Sequence, residues 1–160
     1  MTRRKVYLRA DASADIGYGH FIRTLALADI LKDDFDCTFF TTSPSAYQIS
    51  EIENVCNYVA LNIETKFEDF IDMLNGDEIV VLDNYFFTTD YQRQIKEKGC
   101  KLICIDDLHD RHFVCDVVLN PALLSTSEYD TEPYTKLCLG LEYALLRKPF
   151  IKQDKDVDKV

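Results

Sequence analysis

Hydrophobic positions in this chain follow two periods that take turns along the sequence. Residues 6–10 are a short apolar run that breaks into charge, which predicts a strand. Residues 21–31 carry Ile22, Leu25, Ala26 and Ile30 at helical spacing, which predicts an amphipathic helix. A second strand follows at 37–42, rich in β-branched and aromatic residues. Ser45, directly after Pro44, can cap a helix reaching about residue 54. A third, weaker strand spans 58–61, and a helix over 66–74 stops at Asn75-Gly76. The run EIVVLD at 78–83 is apolar without alternation, as expected of a strand buried on both faces of a parallel sheet. Thr89 or Asp90 can cap the next helix, which ends at Gly99 behind Lys96 and Lys98. Strands at 101–106, 117–119 and 136–139 complete the series. The Ser/Thr/Asp/Pro-bearing stretch 121–134 reads as a surface loop.

Alternating strands and helices predict an α/β domain, with a parallel sheet flanked by helices. In such a sheet the strand carboxyl ends share one edge, and ligands bind there. Residues 1–150 make one domain on this reading. The charged segment 151–160 reads as a frayed tail or the start of a linker. The 160-residue length suffices for one real core. A net charge of −10 argues against binding nucleic acid or an anionic membrane through general electrostatics. No apolar run suits a signal peptide or a membrane span. The six cysteines lie mostly in apolar runs without framework spacing, which predicts free thiols and a cytoplasmic protein.

Chemistry concentrates where the first strand hands over to the first helix, in DIGYGHFIRTLALADIL. Gly17 and Gly19 permit close backbone approach or positive φ. His20 falls in the first helical turn, and Arg23 and Thr24 share its face. A helix N-terminus disfavours a protonated imidazole, so a histidine there suits the role of proton acceptor. The same N–H groups and Arg23 can receive an anion. Two readings stay open on spacing alone: a tight turn with a polar cap residue, or a general base in a loop at the sheet's carboxyl edge. The pattern is not the G-x-G-x-x-G fingerprint, because Ile22 stands at its last position, and no acidic residue closes the second strand. A nicotinamide cofactor is not predicted.

Asp83, Asn84 and Tyr85 follow one central strand, and Asp106 and Asp107 end the next. The aspartates read first as loop caps, Asp83 included, and Tyr85 as the better ligand contact. Cys104, His109, His112 and Cys115 invite a metal reading, but their spacing fits no common zinc pattern. That segment reads as a loop between two strands, and no metal is predicted. The stretch GLEYALLRKPF, with Arg147, reads as a closing segment that packs Tyr143, Leu146 and Phe150 on the domain.

Four segments, RADASADIGYGHFIRTLALADIL, LDNY, IDDLHDRHFVCDVVLN and GLEYALLRKPF, occur in the order and near the spacing of one family. They resemble the amino-terminal domain of the nucleotide-sugar hydrolases of pseudaminic acid biosynthesis, whose relatives include spore-coat polysaccharide biosynthesis proteins. The resemblance implies one Rossmann-like half of the two-domain glycosyltransferase architecture called GT-B. It implies inverting attack of water on the anomeric carbon of UDP-2,4-diacetamido-2,4,6-trideoxy-β-L-altropyranose, without a metal or other cofactor. By the same resemblance His20 would be the base, and Tyr85 would line the sugar site. Asp11, Gly17, Tyr18, Gly19 and Arg23 would complete the substrate-binding set. A carboxy-terminal domain that holds most of the UDP contacts is missing from this sequence and is the implied partner. Asn84 stands where some relatives carry histidine, and Phe86 where some carry glycine, which alters the expected sugar pocket. Transfer to a sugar or lipid acceptor, or a non-catalytic role beside a UDP-binding polypeptide, are the alternative functions.

Overall fold

The computed structural model describes residues 2–13, 15–122 and 125–146. Arg147, Phe150 and the expected linker 151–160 lie outside these residues. Seven strands form one all-parallel sheet: β1 (Lys5–Arg9), β2 (Asp36–Thr42), β3 (Asn57–Leu61), β4 (Ile79–Leu82), β5 (Lys101–Ile105), β7 (Val117–Asn120) and β9 (Lys136–Leu139). Their spatial order is β3-β2-β1-β4-β5-β7-β9. The chain therefore builds outward in one direction from β1, then crosses back to start again at β4. The strand order reverses between β1 and β4, and in sheets of this kind ligands bind at the carboxyl ends beside such a reversal. Two short strands, β6 (His112–Phe113) and β8 (Asp130–Thr131), pair separately.

The helices are α1 (Gly19–Leu31), α2 (Ala46–Glu53), α3 (Lys66–Asp72) and α4 (Thr89–Glu97). They cover both faces, because the inner strands direct apolar side chains both ways. On β2, Cys37 and Phe39 join Phe21, Leu25 and Ala28 of α1 and Ile52 of α2. Phe40 points to the other face, with Phe70 of α3 and Tyr91 and Ile95 of α4. On β4, Val81 takes the first face and Val80 and Leu82 the second. This two-sided demand explains why EIVVLD shows no alternation.

Ser45 caps α2 as expected, in a reciprocal capping box with Gln48. The cap of α4 differs by one residue from the expected Thr89 or Asp90. Thr88 is the N-cap: its backbone is extended, and its hydroxyl accepts a bond from the Tyr91 N–H at 3.2 Å. The expected surface loop 121–134 is also more structured. It contains a 3-10 turn (Thr126–Glu128), strand β8 and the buried ring of Tyr129.

The turns that follow α3 and α4 touch. Gly76 adopts φ +106, and a Cβ placed on it would lie 2.2 Å from the Lys98 carbonyl oxygen. The buried Glu78 carboxylate accepts bonds from the Asn75 and Gly76 N–H groups, so the turn cannot simply swing away. Gly76→Ala is expected to cost at least about 1–3 kcal/mol through backbone strain alone. The midpoint of urea unfolding checks this.

Candidate active site

The carboxyl edge of the sheet gathers polar residues from several strand ends. Past β1, Asp11 is buried, and both its oxygens are engaged. Arg9 donates to each of them, the Thr42 N–H donates at 3.0 Å, and Lys66 Nζ donates at 3.0 Å. Lys66 also lies 4.2 Å above the Phe86 ring, and Arg9, fully buried, sits over Phe87. Burial raises the Asp11 pKa, but Arg9 and Lys66 outweigh it and hold the carboxyl at about 2. Asn84 ties this residue to the next strand end, accepting from the Asp11 N–H at 2.7 Å. Asp11, expected to touch substrate, is placed beneath the surface as an organiser of the β1–β4 crevice.

Gly17 takes φ +85 and donates to the Ser13 carbonyl at 2.7 Å. Gly19 has no positive φ. It opens α1, and a Cβ there would meet nothing within 4 Å. Tyr18 is the N-cap and supplies no side-chain cap, and its ring is exposed.

His20 lies in the first turn of α1 and is 6% exposed. Its ring is at the carboxyl end of β4, where Nδ1 lies 2.7 Å from Asp83 Oδ1. Tyr85 packs edge-on against it, with centroids 4.6 Å apart. Arg23 Nη2 lies 3.2 Å from the same nitrogen, but the carboxylate is the nearer partner and only accepts, so in the neutral ring the proton sits on Nδ1 and the guanidinium packs beside it without donating to it. Nε2 has no hydrogen-bond partner among the described residues, and it is not one of the orphan atoms sealed from solvent. The unprotonated nitrogen is therefore the accessible one.

Asp83 corrects its sequence-based reading as a loop cap. It is fully buried, and four side-chain contacts converge on it. Arg23 approaches side-on, with Nε 2.6 Å from Oδ2 and Nη2 2.6 Å from Oδ1, and the Thr24 hydroxyl donates to Oδ2 at 2.8 Å. His20 makes the fourth contact. Aspartate after a strand is usually a local cap, which hides this role in the sequence. The available signal is the face shared by His20, Arg23 and Thr24, which needs one common acceptor. Arg23 also reaches Asp107 Oδ2 at 3.3 Å. Burial opposes the Arg23 charge, but Asp83 and then Asp107 more than compensate, so its pKa is raised. Its guanidinium, expected to receive an anion, is thus engaged by two carboxylates.

Tyr85 donates its hydroxyl to Asp107 Oδ2 at 3.1 Å, and its ring is 47% exposed. Asp106 caps the loop after β5, accepting from the His109 N–H at 2.8 Å and from the Tyr129 hydroxyl at 2.9 Å. Tyr129 also receives a bond from Asn120 at the end of β7. The segment that invites a metal reading is divided. Cys104 and Cys115 are buried, whereas His112 places its ring nitrogens against Asp130 and Glu132. The expected loop between β5 and β7 thus contains β6, paired with β8. Among the described residues no His, Cys, Asp or Glu cluster is arranged to hold a metal ion. Of the closing segment, Tyr143 packs on the core, while Leu146 is exposed.

A sheet-edge crevice with a carboxylate-held histidine is the setting for comparison with known proteins. The chain is 32% identical over 162 residues to a UDP-2,4-diacetamido-2,4,6-trideoxy-beta-L-altropyranose hydrolase of Campylobacter jejuni, across 95% of the chain. The chain is a relative of that hydrolase. It is also 27% identical over 160 residues to an uncharacterized protein of Methanocaldococcus jannaschii. It spans 55% of the length of the first relative and 33% of the second. No family model matches. Among the described residues no helix is long and apolar enough to cross a membrane.

The buried charges generate a stability prediction. Asp11→Asn removes the counter-charge of Arg9 and Lys66 and is expected to cost about 3–5 kcal/mol at neutral pH. A depressed carboxyl pKa contributes stability that is present above the unfolded value near 4. It is lost as pH falls through about 2. The unfolding free energies of parent and Asp11→Asn chains from urea titrations should therefore converge by about 2 kcal/mol between those limits. A gap that is constant with pH would contradict this.

Proposed function

We propose that this chain is the catalytic-base domain of a nucleotide-sugar hydrolase that releases UDP from a UDP-2,4-diacetamido-2,4,6-trideoxy-hexose. One observation carries the reading: His20 stands at the carboxyl end of β4, beside the reversal of strand order, with Nδ1 held by Asp83 and Nε2 unpaired among the described residues. The similarity to the Campylobacter hydrolase supports the substrate class. On this reading a second domain supplies most of the UDP contacts, residues 151–160 lead toward it, and the protein works in the cytoplasm in surface-polysaccharide or nonulosonic acid synthesis.

Water approaching the anomeric carbon loses a proton to His20 Nε2 as its oxygen bonds to that carbon. The bond from the carbon to the UDP oxygen breaks on the opposite face, and its electron pair leaves with UDP. Configuration inverts, and the proton passes from the imidazolium to solvent. The diphosphate is already a good leaving group, so the domain's task is to orient water and supply a base. Asp83 stabilises the imidazolium and holds the tautomer that leaves Nε2 unprotonated. Tyr85, Tyr18, Gly17 and Gly19 border the sugar, with Gly19 leaving room for close approach. Asp11 and Arg23 support these contacts from beneath.

The test is product analysis, with the chain assayed alone and with a UDP-binding domain supplied in trans. Little turnover is expected of the chain alone, and free inverted sugar plus UDP once the second domain is added. A sugar conjugate formed only with an added acceptor would assign transfer instead. His20→Ala is expected to lower kcat by about 10²- to 10⁴-fold with folding retained. Asp83→Asn should lower kcat to a similar extent with little change in KM, because the amide permits the wrong tautomer. Turnover indifferent to His20 would refute the base assignment.

A further inference from the structure

The contacts around His20 close on themselves. The imidazole meets Asp83 through Nδ1, Asp83 meets Arg23 through a two-pronged contact, and Arg23 Nη2 also lies 3.2 Å from Nδ1 itself. Arg23 meets Asp107, Asp107 accepts the Tyr85 hydroxyl, and Tyr85 lays its ring edge-on to the imidazole. We propose that Arg23 and Asp107 are positioning residues, which close a ring of five side chains that aims His20 Nε2 into the crevice.

The members come from three places: α1 supplies His20 and Arg23, the end of β4 supplies Asp83 and Tyr85, and the end of β5 supplies Asp107. A carboxylate alone can rotate about its terminal bond and offer either oxygen. The planar fork of Arg23 spans both Asp83 oxygens, so it fixes the plane of the carboxylate and hence the direction from which Oδ1 meets Nδ1. Thr24 holds Oδ2 from the same helix face. On the other flank, Tyr85 would be free to swing, being 47% exposed, without the acceptor at Asp107. Burial first and the Asp107 contact second raise the Tyr85 pKa, which gives this flank its own reporter.

This assignment differs from the sequence-based one, in which Arg23 meets an anionic ligand. The two are separated by Arg23→Lys, which keeps the charge and loses the fork. The kinetic arm of the test rests on His20 being the base, and the spectroscopic arm does not. In ¹⁵N spectra of the labelled chain, with His20 identified by loss of its signals in His20→Gln, the neutral ring should carry its proton on Nδ1 alone. Arg23→Lys should give a mixture of tautomers. Asp107→Asn, at a position with a 35% exposed side chain, should lower the Tyr85 titration midpoint seen by ultraviolet absorbance and weaken the nuclear Overhauser contact between Tyr85 and His20. In the turnover assay, Arg23→Lys should reduce kcat about 10- to 100-fold with KM changed less than about threefold, as a misaimed base does. An unchanged single tautomer in Arg23→Lys, or a raised KM at constant kcat, would overturn the role of Arg23. Unaltered Tyr85 titration and contacts in Asp107→Asn would overturn that of Asp107. Absence of turnover in the parent chain with the UDP-binding domain supplied in trans would count against the hydrolase reading, while the tautomer and titration measurements would still decide the positioning roles.

Discussion

A carboxylate with no exposure has to be met by donors, and the burial of Asp83 at the end of β4 organises everything around it. The strand places its carboxyl end beside β1, at the reversal of strand order. Donors must then come from whatever covers that end, and the first turns of α1 do so. His20, Arg23 and Thr24 lie on one helical face, so a single acceptor serves all three. The loop before α1 must deliver the helix at that spot, which is the structural demand behind Gly17 with its positive φ. One buried charge thus connects strand order, helix placement and the orientation of an imidazole.

Two buried aspartates occupy the same sheet edge and do different work. Asp11 is met by Arg9, Lys66 and a backbone N–H, all permanent donors, and its pKa is held low. It fixes the β1 end and, through its backbone and Asn84, joins that end to β4. Asp83 is met instead by an imidazole, with a guanidinium and a hydroxyl beside it. The residue type is the same, and the partners separate a structural ion pair from a site able to move protons. Burial alone would not have distinguished them.

The sheet is legible in the sequence because its strands are buried on both faces, as in EIVVLD and KLICID, and each is followed by a polar break. The helices are legible where caps are local, as at Ser45 and Gly99. The cap of α4 is displaced by one residue because Thr88, Thr89 and Asp90 are all capable, and only the backbone turn selects among them. Strands β6 and β8 escape notice, since two-residue strands carry no period. At the site, the glycine-flanked histidine stands out locally, whereas its partner does not. Asp83 lies 63 residues away, and its role depends on β4 pairing with β1, a long-range fact with no local signature. The role of Arg23 is hidden for the same reason: a guanidinium beside a helix start looks like an anion receptor until the carboxylates across the crevice are placed.

The distribution of effort in this edge matches the chemistry proposed for it. When the leaving group is a diphosphate, little is gained from a stronger base, and much depends on where a water molecule and the accepting nitrogen stand. A site built on basicity would leave the carboxylate to the imidazole alone. Here the carboxylate is shared with a guanidinium and a hydroxyl, which fix the direction it offers to the imidazole. The contacts that surround His20 constrain angle more than they supply charge, and that is what a site built for orientation requires.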